Sequence, residues 1–142
     1  MKVFISLPHH GRTEEEIQND INKYFEELKN DKNIINEDGK WELIDTIHNA
    51  NVPANPSRLW YLGEAIKKLN DADLVYFAGE WYTAKGCWVE FIAANLYEKN
   101  LTYGYGHPVV AMCVGDALSA IRSTMRMFDD YDDNKEDKKN DR

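Results

Sequence analysis

A chain of 142 residues, 43% hydrophobic and 12% aromatic with a formal net charge of −8, is one domain's worth of globular protein, long enough to bury a core. The acidic balance and the lack of clustered Lys and Arg argue against a nucleic-acid backbone as partner. No apolar run approaches the ~20 residues that span a bilayer, and residues 1–7 lack the charged and apolar regions of a signal peptide, so a cytoplasmic protein with no membrane partner is expected. The two cysteines, Cys87 and Cys113, lack the spacing of a zinc site and read as free thiols.

Lys2 to Leu7 is a β-prone run that suits a central strand, followed at once by Pro8-His9-His10-Gly11-Arg12. Thr13 and Glu16 then form a capping box, and Ile17, Ile21, Phe25 and Leu28 give a helix over 13–29 one apolar face. Backbone amides beside a capped helix start are suited to holding an anion. His9, His10, Gly11 and Arg12 are therefore candidates for a substrate phosphate, against the plainer reading of a solvated turn. The histidines show no metal-ligand pattern.

Trp41 to Ile47 alternates enough for an edge or second strand, and His48 to Pro56 is a loop able to lie over a cleft. Ser57 caps a helix with Leu59, Leu62, Ile66 and Leu69 at a helical period. Tyr61 and Glu64, three apart, share a different face, either solvated or aimed together into a cleft. Leu74 to Ala78 is a third, buried strand. The loop after it offers Trp81 and Tyr82, whose flat faces suit stacking on a base, or packing.

From about Gly86 a further helix carries Val89, Ile92, Ala93 and Leu96 on its apolar side. Glu90 then falls in the first turn, where the helix dipole favours an ionised carboxylate. The small neighbour Ala94 is expected to leave room beside it. Asn100 to Gly106 reads as a turn, Pro108 to Val114 as a fourth strand, and Asp116 as the cap of a last helix with Leu118, Ile121, Met125 and Phe128 on one side. Residues 129–142, with seven acids against four bases, have almost nothing apolar to bury and read as a disordered tail after a domain of residues 1–128.

Strands alternating with capped amphipathic helices predict an α/β fold: a doubly wound three-layer sandwich with a mainly parallel sheet of four or five strands, flavodoxin-like in layout. A receiver domain needs an acidic pair after the first strand, where this chain has Leu7-Pro-His-His10.

Three runs, Ile5-Ser-Leu-Pro8, Leu59-Trp-Tyr-Leu-Gly-Glu64 and Gly86-Cys-Trp-Val-Glu90, resemble the nucleoside 2-deoxyribosyltransferase-like superfamily. The likeness is closest to its subfamily of unassigned function and extends to the related 2′-deoxynucleoside 5′-phosphate N-hydrolases; it covers roughly residues 1–115. The resemblance implies cleavage or exchange of an N-glycosidic bond, with Glu90 as nucleophile and Glu64 as the partner acid. It adds Ser6 and Gly86, which stand in these runs, to a substrate-binding set that already includes Tyr61 and Trp81.

Two departures stand out. The enzymes' acid on the Glu64 helix would fall at Ala65, and the transferases' Asp six residues before the nucleophile is here Ala84. Leu118-Ser-Ala-Ile-Arg122 resembles an N-hydrolase run whose serine reaches the 5′-phosphate from a neighbouring subunit, which makes Ser119 a binding residue and the protein a homodimer or higher oligomer. No metal or redox cofactor is implied. The alternative from another class is a binding module that kept a nucleotide cleft and lost turnover.

Overall fold

The structure, a computed structural model, describes residues 1–103 and 114–128. The chain falls into two compact units, Met1–Gly104 and Tyr105–Arg142. In the first, the elements run β1 (Lys2–Ser6), α1 (Glu14–Lys29), β2 (Glu42–Leu43), α2 (Arg58–Asn70), β3 (Leu74–Phe77), a single 3-10 turn (Trp81–Thr83), α3 (Lys85–Leu96) and β4 (Leu101–Tyr103).

The four strands form one sheet in the order β2-β1-β3-β4, and every pairing is parallel. The chain winds outward from β1 to β2, then crosses back to β3 and β4 on the other side. The winding reverses between the carboxyl ends of β1 and β3, the place where open α/β sheets commonly bind their ligands.

Strand alternation divides the core into two layers. Val3, Ile5, Leu7, Leu74 and Ala78 face α1 and meet its Ile17, Ile21 and Leu28. α1 begins as its sequence predicts: Thr13 accepts from the Glu16 amide while the Glu16 carboxylate accepts from the Thr13 amide. The alternate positions Phe4, Ser6, Val75 and Phe77 are also buried, and they face α3. Phe77 meets Phe91 of α3 with ring centroids 5.2 Å apart. α2 lies beside α3, with Leu62 Cδ1 3.9 Å from where a side chain on Gly86 would begin.

Several elements differ from the sequence expectation. β2 is only Glu42–Leu43, because the Asp45 carboxylate takes the amides of Ile47 and His48 and turns the chain out of the ladder. The fourth strand is Leu101–Tyr103, in register with Val75–Phe77, where a turn was expected; three β-prone residues beside a buried strand suffice to pair. On α2, Leu59 leaves the apolar stripe and is 75% exposed, while half-buried Trp60 packs edge-on against Tyr61.

In the second unit, residues 114–128 form a helix, α4, which starts two residues before the expected cap at Asp116. Val114, expected as the end of a strand, is in α4. Ile121 is buried, Leu118 and Met125 are half-buried, and Phe128 is exposed. The rest of the expected strand over 108–113, Cys113, and the acidic tail 129–142 lie outside the described residues. No helix among the described residues is long and apolar enough to cross a membrane.

Candidate active site

At the carboxyl end of β1, Ser6 pairs in register with Phe77 of β3 and points to the α3 side of the sheet. Opposite it stand Cys87 and Glu90, one helical turn apart on the buried face of α3. All three are closed in: Ser6 is 2%, Cys87 3% and Glu90 8% exposed.

This arrangement corrects the expected face of α3. The buried stripe is Cys87, Glu90, Phe91 and Ala94, and Val89 and Ile92 are 44% and 40% exposed. Both stripes fit a helical period, but only one lets Phe91 stack on Trp81 and wedge against Phe77. An aromatic pair of that size outweighs a Val and an Ile. Ala94, expected to leave room for a ligand, is 0% exposed and packed in the core.

Turning that face inward changes the chemistry of Glu90. α3 begins at Lys85, so Glu90 lies in the second turn, past the end of the helix where the dipole acts most strongly. Burial dominates instead and raises its pKa from 4.5 to about 7, tempered by the nearby Ser6 hydroxyl. The expected permanently ionised carboxylate is thus a group that takes up and gives up a proton near neutrality.

The Cys87 thiol is pushed up to about 12, first by burial and then by Glu90. It stays neutral and is a poor nucleophile. Ser6 lies close enough to both groups for its hydroxyl to lower their pKa values by hydrogen bonding, but neither its Oγ nor Glu90 Oε2 reaches full hydrogen-bond geometry with any described residue. Leaving a buried polar atom unpaired costs about 1–3 kcal/mol, and such atoms call for an explanation such as a ligand.

The Glu90 shift has a measurable consequence for stability. Below pH 4.5 both the folded and unfolded chains hold the proton, and between 4.5 and about 7 the unfolded chain releases it first. Unfolding free energy therefore falls as pH rises through this window, by about 3 kcal/mol in all, and then levels off. Urea unfolding at pH 4.5, 6 and 8 should show the stability of Glu90→Gln rising relative to wild type across the series. A constant difference would contradict the shift.

The loop after β1 is built as a turn, with the Arg12 amide donating to His9 O at 3.2 Å. Gly11 sits at φ +73°, the left-handed value required at the third position of a type II turn. Arg12, expected to hold a phosphate, is already engaged. It donates to Pro8 O and Glu16 O and forms an ion pair with Asp20, so it ties the loop to α1. His9 has its pKa lowered, first by partial burial of its ring and then by the Arg12 guanidinium, although the residue as a whole is exposed. His10 is exposed and meets Arg58, the first residue of α2, with Nδ1 3.4 Å from the guanidinium. Nothing in the sequence pattern joined these two residues, because the contact depends on how α2 lies against the β1 loop.

Other expected residues are placed differently. Trp81, proposed for base stacking, is 0% exposed, with rings of Phe77, Trp88, Phe91 and Tyr103 around it. It is a core residue, and half-buried Tyr82 is the aromatic of this loop with an accessible edge. Tyr61 is 45% exposed. The Glu64 carboxylate accepts from Lys67 Nζ at 2.6 Å and makes no bond to Ser6 or Glu90 among the described residues. Gly86 lies in the first turn of α3. Ser119 is an exposed residue of α4.

The two best-defined clefts among the described residues lie elsewhere. One of about 220 Å³ is lined by Gln18, Ile21, Leu43, Asp45, Thr46 and His48. The other, of about 370 Å³, is lined by Glu27, Asp31, Tyr76 and Tyr103. Neither includes the buried carboxyl at the strand crossover, whose altered chemistry outweighs open volume as a sign of function. No family model, curated protein or solved structure matches the chain.

Proposed function

We propose that this protein cleaves or exchanges the N-glycosidic bond of a nucleoside or nucleoside 5′-phosphate, with Glu90 as nucleophile. The observation that carries the proposal is the pair of buried, unpartnered polar atoms, Ser6 Oγ and Glu90 Oε2, at the carboxyl ends of the central strands. The resemblance of the Gly86 to Glu90 run to the deoxyribosyltransferase-like enzymes adds the reaction class.

In this scheme ionised Glu90 attacks the anomeric carbon as the bond to the base nitrogen breaks, through an oxocarbenium-like state. The bonding pair leaves with the base, which gains a proton. Water or a second base then displaces Glu90 from the sugar. A pKa of about 7 leaves a usable ionised fraction at neutral pH, and the Ser6 hydroxyl orients the carboxylate or the sugar. Tyr82 takes the stacking role in place of Trp81. Glu64 serves as the partner in proton transfer or hydroxyl positioning only after parting from Lys67. Ser119 reaches the site of a neighbouring subunit in a cytoplasmic homodimer, and no metal, redox cofactor or nucleic acid takes part.

A second reading, a module that binds a nucleotide without turning it over, is favoured by Ala84 at the place of an expected acid and by the closed setting of Glu90, 8% exposed. Incubation with a panel of nucleosides and 5′-nucleotides separates the two. Release of free base supports the enzyme, and saturable binding with no base released supports the module.

A further inference from the structure

We infer that Arg58 and His10, and not Arg12, form the subsite for the phosphate of a nucleoside 5′-monophosphate. The inference rests on the proposed nucleotide site and adds the residues that choose the phosphorylated substrate.

Arg12 is the obvious cation in the sequence, but its guanidinium is spent on Pro8 O, Glu16 O and Asp20. A phosphate there would have to compete with a carboxylate already in place. Arg58 is different. Among the described residues it has no acidic partner, and its guanidinium meets His10 across a sequence separation of 48. Two exposed side chains that carry or can take up positive charge are thus brought together in a protein of net charge −8. Left alone they gain little from each other; a doubly charged phosphate satisfies both, and an Arg fork suits its geometry.

The setting agrees. α2 has no acidic residue in its first turn, so nothing there repels an anion. His10 follows Ser6 by four residues, a reach of at most about 14 Å of chain, so the pair sits at the same strand end as Ser6 and Glu90. His9 is unsuited to the role, because burial and Arg12 both disfavour its charged form.

The test uses full-length protein and two probes, ribose 5-phosphate and matched nucleoside and 5′-monophosphate pairs. Binding is followed through the His10 ring resonances and by calorimetry. Wild type should bind ribose 5-phosphate with a shift of the His10 signals. Arg58→Ala should weaken every phosphorylated ligand by about tenfold or more and leave nucleoside affinity unchanged. Arg12→Ala should leave the ratio of phosphorylated to unphosphorylated affinity as in wild type. Far-UV circular dichroism confirms that both variants are folded.

Arg58-dependent binding of ribose 5-phosphate without release of base from any nucleotide would uphold this subsite while removing the glycosidase reading. Base release with an unchanged phosphate preference in Arg58→Ala would uphold the glycosidase reading and overturn the subsite. Loss of phosphate preference in Arg12→Ala alone, or no binding of either phosphorylated probe to wild type, would also overturn it.

Discussion

Trp81→Ala should destabilise the protein by about 3–5 kcal/mol, the usual cost of emptying a fully buried aromatic site. Trp81 is 0% exposed and joins three elements. Its ring lies 5.2 Å from Phe77 of β3, 5.0 Å from Phe91 of α3 and 6.2 Å from Tyr103 of β4, centroid to centroid. Phe91 is four residues before Asn95 and one after Glu90, so the face of α3 that turns Glu90 inward depends on this cluster.

With total stabilities of about 5–15 kcal/mol typical of single domains, the variant should be marginal, its melting temperature lowered by more than about 10 °C. Thermal and urea unfolding check this. If Trp81 were a platform for a base, the substitution would instead spare stability and weaken ligand binding. A loss below about 1 kcal/mol would contradict its place in the core.

The sequence was most informative where one local rule had no rival. The capping box at Thr13 and Glu16 and the stripe of Ile17, Ile21 and Leu28 define α1 directly. The runs of β1 and β3, flanked by helical patterns, define a parallel α/β sheet. α3 was legible as a helix but not in its rotation. Its twelve residues are apolar nearly all round, so Val89, Ile92 and Leu96 compete with Cys87, Phe91 and Ala94 at the same period, and only the partners on β3 and in the Trp81 turn decide. The two readings open for Trp81 have the same origin, since an aromatic loop residue reads alike whether it stacks on a ligand or on Phe91.

β4 was obscured because three residues carry too little alternation to stand out from the following glycine-rich turn. Arg12 shows a different gap. Its neighbours in sequence suggest an anion site, but Asp20, two turns into α1, takes its charge, and the Arg58 and His10 contact bridges elements far apart in the chain.

Changing Glu90 to Gln should lower turnover by orders of magnitude, since a neutral amide cannot form the glycosyl ester that the mechanism requires. The variant keeps the size of the side chain and its place facing Ser6, so ligand affinity should change little. It should also be more stable than wild type at pH 8, because the cost of ionising a carboxyl whose folded pKa is about 7 disappears. Lost catalysis together with gained stability would mark a group kept for chemistry at the expense of the fold. A destabilised variant with full turnover would fit neither part of the account.

The most direct test is a quench of wild-type protein during turnover of a nucleoside 5′-monophosphate, with free base measured by chromatography and the digested protein by mass spectrometry. The account predicts release of base and one glycosyl unit on the peptide that carries Glu90, both absent in Glu90→Gln. Base released by Glu90→Gln at the wild-type rate, or a glycosyl unit on Glu64 or Glu80 instead, would contradict it.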